Sequence, residues 1–300
     1  MYFRFFRSTI LPLLILTFHT SQGQEMPEVV AKGATPVLVS SDFQFTEGPA
    51  VDASGNVYFT DQPNDRIMKW SPRDGLSVFM EGTGRSNGLY FDRDGNLISC
   101  ADLDNQLWSI APDKSVTVLV RDFEGKKLNG PNDVWVHPNG GIYFTDPFYR
   151  RNYWDRTEKE IENEDVYYLA PDRKTLKVAA TGIVKPNGLI GSPDGKTLYV
   201  TDIGDRKTYV FDIAADGSLS NRRLFVEMGA DGMTMDSKGN IYLAGRGVTV
   251  FSPKGEKLGV IPIPENWTAN VCFGGKDLKT LFVTASKSVY TVKMRVKGIR

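Results

Sequence analysis

Cysteine is nearly absent from this chain of 300 residues, represented only by Cys100 and Cys272. Two thiols make neither a disulfide scaffold nor a Cys-x-x-Cys zinc site. Histidine is as scarce, with His19 and His137. His19 falls in a segment read below as removed, so a two-histidine metal site or dyad is excluded from the remainder. No charge excess of either sign exists, since 36 Lys and Arg stand against 36 Asp and Glu. That balance excludes the basic field of a nucleic-acid binder and the acidic tail of a solvating segment. What chemistry the protein performs is left to carboxylates, amides and a metal that prefers oxygen.

What is present begins with an address. Arg4 and Arg7 precede an apolar run from Ile10 to Phe18, and Ser21-Gln22-Gly23 follow it. A positive start, a short hydrophobic run and small residues at a cleavage point describe a secretory signal. The run is too short for a bilayer, which takes about 20 residues. The expected organisation is a signal over 1–23 and one domain over 24–300, secreted or periplasmic, with no membrane span in the mature chain. Cys100 and Cys272 lie in strand-like apolar runs and read as two buried small hydrophobes.

The rest of the chain repeats. Glu47-Gly-Pro-Ala-Val-Asp52, Asn87-Gly-Leu-Tyr-Phe-Asp92 and Asn132-Asp-Val-Trp-Val-His137 are three copies of one unit. Asn187-Gly-Leu-Ile-Gly-Ser192, Asp231-Gly-Met-Thr-Met-Asp236 and Asn270-Val-Cys-Phe-Gly-Gly275 are three more. In five of the six a turn such as Ser54-Gly55-Asn56 or Asp94-Gly95-Asn96 comes next, then a β-rich run such as Val57-Tyr-Phe-Thr-Asp61 or Ile142-Tyr-Phe-Thr-Asp146. Apolar β-branched and aromatic runs around Asn-Gly or Asp-Gly are a strong hairpin signal. The opening residues are separated by steps of 40, 45, 55, 44 and 39. A period near 40–45 made of strand and turn predicts an all-β protein: a six-bladed β-propeller with four-stranded antiparallel blades around a central channel. The long step contains a charged insertion, Tyr149 to Asp165, between strands of the third blade. Val37 to Ser40 stands outside the count and is expected to pair near Ser288 to Met294.

Glu47, Asn87, Asn132, Asn187, Asp231 and Asn270 open the six copies, and all six carry a side-chain oxygen. Asn, Asp and Glu are depleted in strands. Six at one register of the innermost strands read as a ring of oxygens suited to a hard cation such as Ca²⁺. Turn chemistry also repeats Asn-Gly and Asp-Gly. It does not account for Glu47 or for acids in only two of the six copies.

Thr46-Glu47-Gly-Pro, Gly130-Pro-Asn132-Asp-Val-Trp, Lys185-Pro-Asn187-Gly-Leu, Asp231-Gly-Met-Thr-Met-Asp and Cys272-Phe-Gly-Gly-Lys-Asp resemble the gluconolactonase/regucalcin family of six-bladed propellers, from about Phe45 to Tyr290. The resemblance implies a lactone hydrolase with a small-molecule lactone substrate and no nucleic-acid partner. It implies that Glu47, Asn187 and Asp231 ligate a divalent metal, with Asn132 a ligand or a substrate contact. The metal is expected to be Ca²⁺, or another divalent cation such as Mg²⁺, Mn²⁺ or Zn²⁺. The sequence departs from the family at Gly130, where members acting on sugar lactones often carry Arg. Asp231 is the candidate general base or nucleophile, with Glu47 holding the ion and Asn87 and Asn270 orienting substrate hydroxyls. His137 is a second candidate base, expected at the far end of its strand. The insertion, with Tyr149, Tyr153 and Trp154, either closes over the channel mouth or is a surface feature without a role. Two other functions remain open from sequence. One is a phosphotriester or aryl-ester hydrolase on the same ring, and the other a non-catalytic propeller stabilised by Ca²⁺.

Overall fold

The computed structural model describes residues 1–2 and 26–299. The expected signal therefore lies, but for its first two residues, outside the described residues. Each repeat becomes one antiparallel sheet of four strands, and six such sheets are present. In the first, Thr46–Val51, Val57–Asp61, Arg66–Ser71 and Gly75–Glu81 follow one another from the axis outward. The innermost strands of successive sheets touch in order around the axis, and the strand Asn270–Gly274 of the last meets Thr46–Val51 of the first. The result is the six-bladed propeller that the repeat predicts. Among the described residues no helix is long and apolar enough to cross a membrane.

Ring closure uses the segment outside the repeat count. Val37–Ser40 forms the outer edge of the sixth blade, Val37 opposite Thr291 and Leu38 opposite Tyr290. The last blade is thus built from both ends of the described chain. Thr46 fastens the same seam, its Oγ1 donating to the Ser288 carbonyl at 2.9 Å.

Apolar side chains pack between blades, which is where propeller sheets face each other. One cluster joins Trp135 and Tyr143 of the third blade to Leu189, Val200 and Phe211 of the fourth and Met233 and Ile241 of the fifth. Another joins Phe59 of the first blade to Phe282 and Val289 of the sixth. Cys100 and Cys272 are free and buried, as expected, and burial pushes both thiols up from their ordinary range.

In the first, second and fifth blades the inner hairpin turn is held by the Asp that follows the inner strand. Asp52 Oδ1 accepts from the Ser54 and Asn56 amides, and Asp236 repeats the pattern with Lys238 and Asn240. This is the side-chain-to-backbone turn that Asp favours. In the third blade His137 occupies that slot.

Candidate active site

Where an inner strand starts, its chain passes very close to the next. A Cβ on Gly48 would lie 2.1 Å from the Asn87 carbonyl oxygen, and one on Gly232 would lie 1.9 Å from Asn270 Cγ. Glycine after the opening residue is therefore a packing requirement, which is why Glu-Gly, Asn-Gly and Asp-Gly repeat. Asn132 and Asn270 are followed instead by Asp133 and Val271, and the first of these exceptions brings a third acid to the axis.

Glu47, Asn87, Asn132, Asn187 and Asn270 are buried at the start of their inner strands, and Asp231 is half-buried. Glu47 Oε2 accepts from the Gly48 amide at 2.9 Å. Its carboxyl is raised well above the usual range, first by burial and then by the negative charges of Asp231 and Asp133. Burial carries Asp133 up to about 7, against hydrogen bonds from the Val134 and Leu189 amides and from Asn270. Asp231 is carried up to about 6 by burial, with Trp267, Asn187 and the Arg151 charge acting in the opposite direction. Trp267 Nε1 donates to Asp231 Oδ2 at 2.6 Å. The ring thus converges on three carboxylates, one more than the repeat pattern singled out. Asp133 was readable as the acid among the two residues, with Val271, that break the glycine pattern.

Asn187 Nδ2 donates to the Tyr149 hydroxyl at 3.0 Å, so the insertion reaches the ring. Asn270 is committed differently: its Oδ1 accepts from the Val271 amide at 2.8 Å, and its side chain bonds Glu47 and Asp133. It supports the carboxylates. Asn87 and Asn132 stand at ring register, joined by the Gly88 amide that donates to the Asn132 carbonyl at 2.8 Å.

The Asp at the end of the second strand in each of the first four blades explains how the insertion is held. Asp61, Asp146 and Asp202 each accept the backbone amides just before their own blade's inner strand. Asp146, for example, takes Asn129 at 2.8 Å and Gly130 at 2.7 Å. In the second blade Asp65 does this work, accepting from the Thr83 and Arg85 amides. Asp102 is thereby released and takes the insertion: Arg151 Nε at 3.1 Å, the Tyr153 hydroxyl, and through its carbonyl Trp154 Nε1 at 2.8 Å. Trp154 also fills the space beside Gly130, where a Cβ would lie 3.0 Å from the indole. Of the two expectations for Tyr149 to Asp165, the mouth is the one its contacts meet.

His137 lies at the opposite end of the channel. Its Nδ1 accepts from the Asn139 amide at 3.0 Å, so Nε2 carries the proton that goes to the Gly195 carbonyl at 2.9 Å. Both ring nitrogens are spent on turns. That end holds a largely apolar cavity of about 390 Å³, lined by Tyr90, Trp135, Ile190, Phe273 and Ile299 among others, and away from the ring carboxylates.

The family model described as SMP-30/Gluconolactonase/LRE-like region matches residues 45–287. The chain belongs to this family. A gluconolactonase of Zymomonas mobilis is 32% identical, over 88% of this chain and 83% of its own. A pentonolactonase of Haloferax volcanii is 26% identical, over 83% of this chain and 84% of its own. Among solved structures, a gluconolactonase of Xanthomonas campestris superposes with a TM-score of 0.83 at 28% identity, covering 90% of this chain and 94% of that one. The SMP-30/gluconolactonase match begins at Phe45 and so takes in all six ring positions.

The donor set of this family member fits a hard divalent cation. Glu47, Asp133 and Asp231 lie at one end of the channel and, among the described residues, form no ion pair; no three acids there stand close enough by themselves to hold an ion, so a cation would also need the amide oxygens of Asn132 and Asn187. Burial raises all three carboxyls, like charge adds to it at Glu47 and Asp133, and a bound cation removes that cost.

Proposed function

We propose that this SMP-30/gluconolactonase family member is a lactone hydrolase acting on a sugar lactone and dependent on a divalent metal, with Ca²⁺ the ion its oxygens suit. The observation that carries the reading is the convergence of Glu47, Asp133 and Asp231 with amides at the channel mouth. The lactonase names of the Zymomonas, Haloferax and Xanthomonas relatives support it. Glu47, Asn132, Asn187 and Asp231 would hold the cation, which when bound supplies Lewis-acid polarisation of the ester carbonyl.

Asp231 is the proposed general base. It is half-buried where Glu47 and Asp133 are buried, so it is the acid a substrate can touch, and Trp267 fixes its Oδ2. Its free oxygen takes a proton from the attacking water as the carbon–oxygen bond to water forms. The ring carbon–oxygen bond then breaks, and the proton passes to the leaving alkoxide, giving the open hydroxy acid. Asp133, buried and hydrogen-bonded to Val134 and Leu189, raises the negative field at the mouth without touching substrate. Asn87 would orient a substrate hydroxyl.

The test is acid release by pH-stat from glucono-1,5-lactone and a panel of small lactones, with and without chelator. We expect turnover that disappears with EDTA, returns with Ca²⁺, and falls roughly 10²–10⁴-fold in Asp231→Asn. Terbium luminescence sensitised by Trp267 reads metal binding independently of activity. Bound metal with no lactone opened faster than in water alone would sink the proposal. Export is also proposed, on the pattern of residues 1–23. Mass spectrometry of protein recovered outside the cytoplasm should find a chain starting at Gln24, and an intact Met1 there would refute cleavage.

A further inference from the structure

Beside the ring, on the same face, lies an open pocket of about 790 Å³ lined by Phe45, Gln62, Arg85, Arg150, Arg151 and Tyr153 among others. Its charged lining residues are all arginines. Arg85 and Arg150 enter no ion pair among the described residues, and Arg85 donates to the Pro63 carbonyl at 2.8 Å while lying 4.5 Å from the Tyr153 ring centre. Arg151 is tethered by Nε to Asp102, which leaves its two terminal nitrogens without a protein acceptor among the described residues. Gln62 lines the same pocket. It is 5% exposed, and its Nε2 has no hydrogen-bond partner. Buried polar groups are almost always paired, so the wall beside the arginines is unsatisfied, although Nε2 itself is closed off from the pocket.

The pocket and the ring share a wall. Phe45 stands two residues before Glu47 on the chain. Arg151 sits 5.7 Å over the ring of Tyr149, whose hydroxyl bonds Asn187. A ligand whose ester reaches the carboxylates can therefore extend into a compartment whose charged side chains are all arginines. Guanidinium forks suit planar and tetrahedral oxyanions.

We propose that the substrate is an anionic lactone, with a carboxylate, sulfonate or phosphate on the carbon chain outside the lactone ring, held by Arg85, Arg150 and Arg151. This rests on the lactone-hydrolase reading above. Specificity then comes from attraction to the remote anion and from the neutral sugar's failure to satisfy the arginines.

The experiment compares kcat/KM for neutral glucono-1,5-lactone, a glucarolactone and 6-phosphogluconolactone at fixed ionic strength, in the full chain and in Arg150→Glu. Arg150 is exposed, so its replacement spares the fold. Calorimetric binding of the open-chain acids gluconate and glucarate is measured alongside. We expect at least one anionic lactone to exceed the neutral one tenfold or more. The preference should weaken with salt, and the ratio should fall at least tenfold in Arg150→Glu. The carboxylate and phosphate substrates distinguish which anion is native. Equal kcat/KM for all three lactones, with an unchanged ratio in Arg150→Glu, overturns the proposal. If no lactone is opened yet glucarate binds tenfold tighter than gluconate and loses that margin in Arg150→Glu, the hydrolase reading fails and the anion pocket stands.

Discussion

At the residue scale, the same side chain does different work according to which end of the channel it occupies. An acid at the turn end, such as Asp52 or Asp236, is a backbone acceptor that closes a hairpin. An acid at the mouth, such as Glu47 or Asp133, is desolvated and crowded by like charge, and its carboxyl rises. His137 belongs to the first kind, since its Nδ1 performs the Asp role toward Asn139. His137→Asn should therefore keep lactone turnover within about twofold of the parent and leave its pH profile in place. Asn can accept the same amide with its side-chain oxygen. A fall of two orders of magnitude in pH-stat assays would restore His137 as a base.

At the element scale, the insertion between the second and third strands of the third blade is the part of the molecule that departs from the repeat. It stays ordered against the mouth because Asp102 is exempt from the anchoring duty that Asp61, Asp146 and Asp202 perform. Trp154 is its main apolar contact: the indole covers Gly130, donates to the Asp102 carbonyl and lies 4.9 Å from the Arg156 guanidinium. Trp154→Ala should release the segment without unfolding the blades. We expect trypsin to cut at Arg150, Arg151 or Arg156, which the parent protects, with a thermal midpoint shift of only a few degrees. Turnover should fall about tenfold as Tyr149 leaves Asn187. Unchanged protease resistance would mean that Asp102 and the Arg156 contacts to the Leu128 and Asn129 carbonyls suffice.

At the scale of the whole molecule, closure of the ring depends on a strand far in sequence from its partner. Val37–Ser40 completes the sixth blade, while Val29 and Val30 are buried against Val292 and Met294. A chain beginning at Ser41 loses two buried valines, at roughly 1.5–3 kcal/mol each, together with the edge ladder. With about 2–4 °C per kcal/mol for a domain of this size, the midpoint should fall by about 10 °C or more. It also bares the edge of Ser288–Lys293, and unpaired edges promote association. Calorimetry and light scattering check both effects. A truncated chain that melts with the parent would show that the other five seams carry the closure.

Much of this was legible in the sequence, because a propeller writes its architecture into a period. The apolar alternation around Asn-Gly and Asp-Gly turns set blade number, strand order and the register of the ring, all local properties of hairpins. The pairing of Val37 with Thr291 was readable only as a leftover strand seeking an edge. Three things were decided by tertiary structure. Asp133 became a third mouth carboxylate because its blade carries an acid at the register where Gly48 and Gly232 admit no side chain. Asn270 became a support because its two ends are consumed by Val271 and by the acids. The arginine pocket assembled from Arg85, Arg150 and Arg151, two strand connections apart, with Gln62 left unpaired between them. Periodicity is carried by neighbours along the chain, so sequence determines it. Desolvation and charge crowding depend on distances across the axis, and only the closed ring sets those.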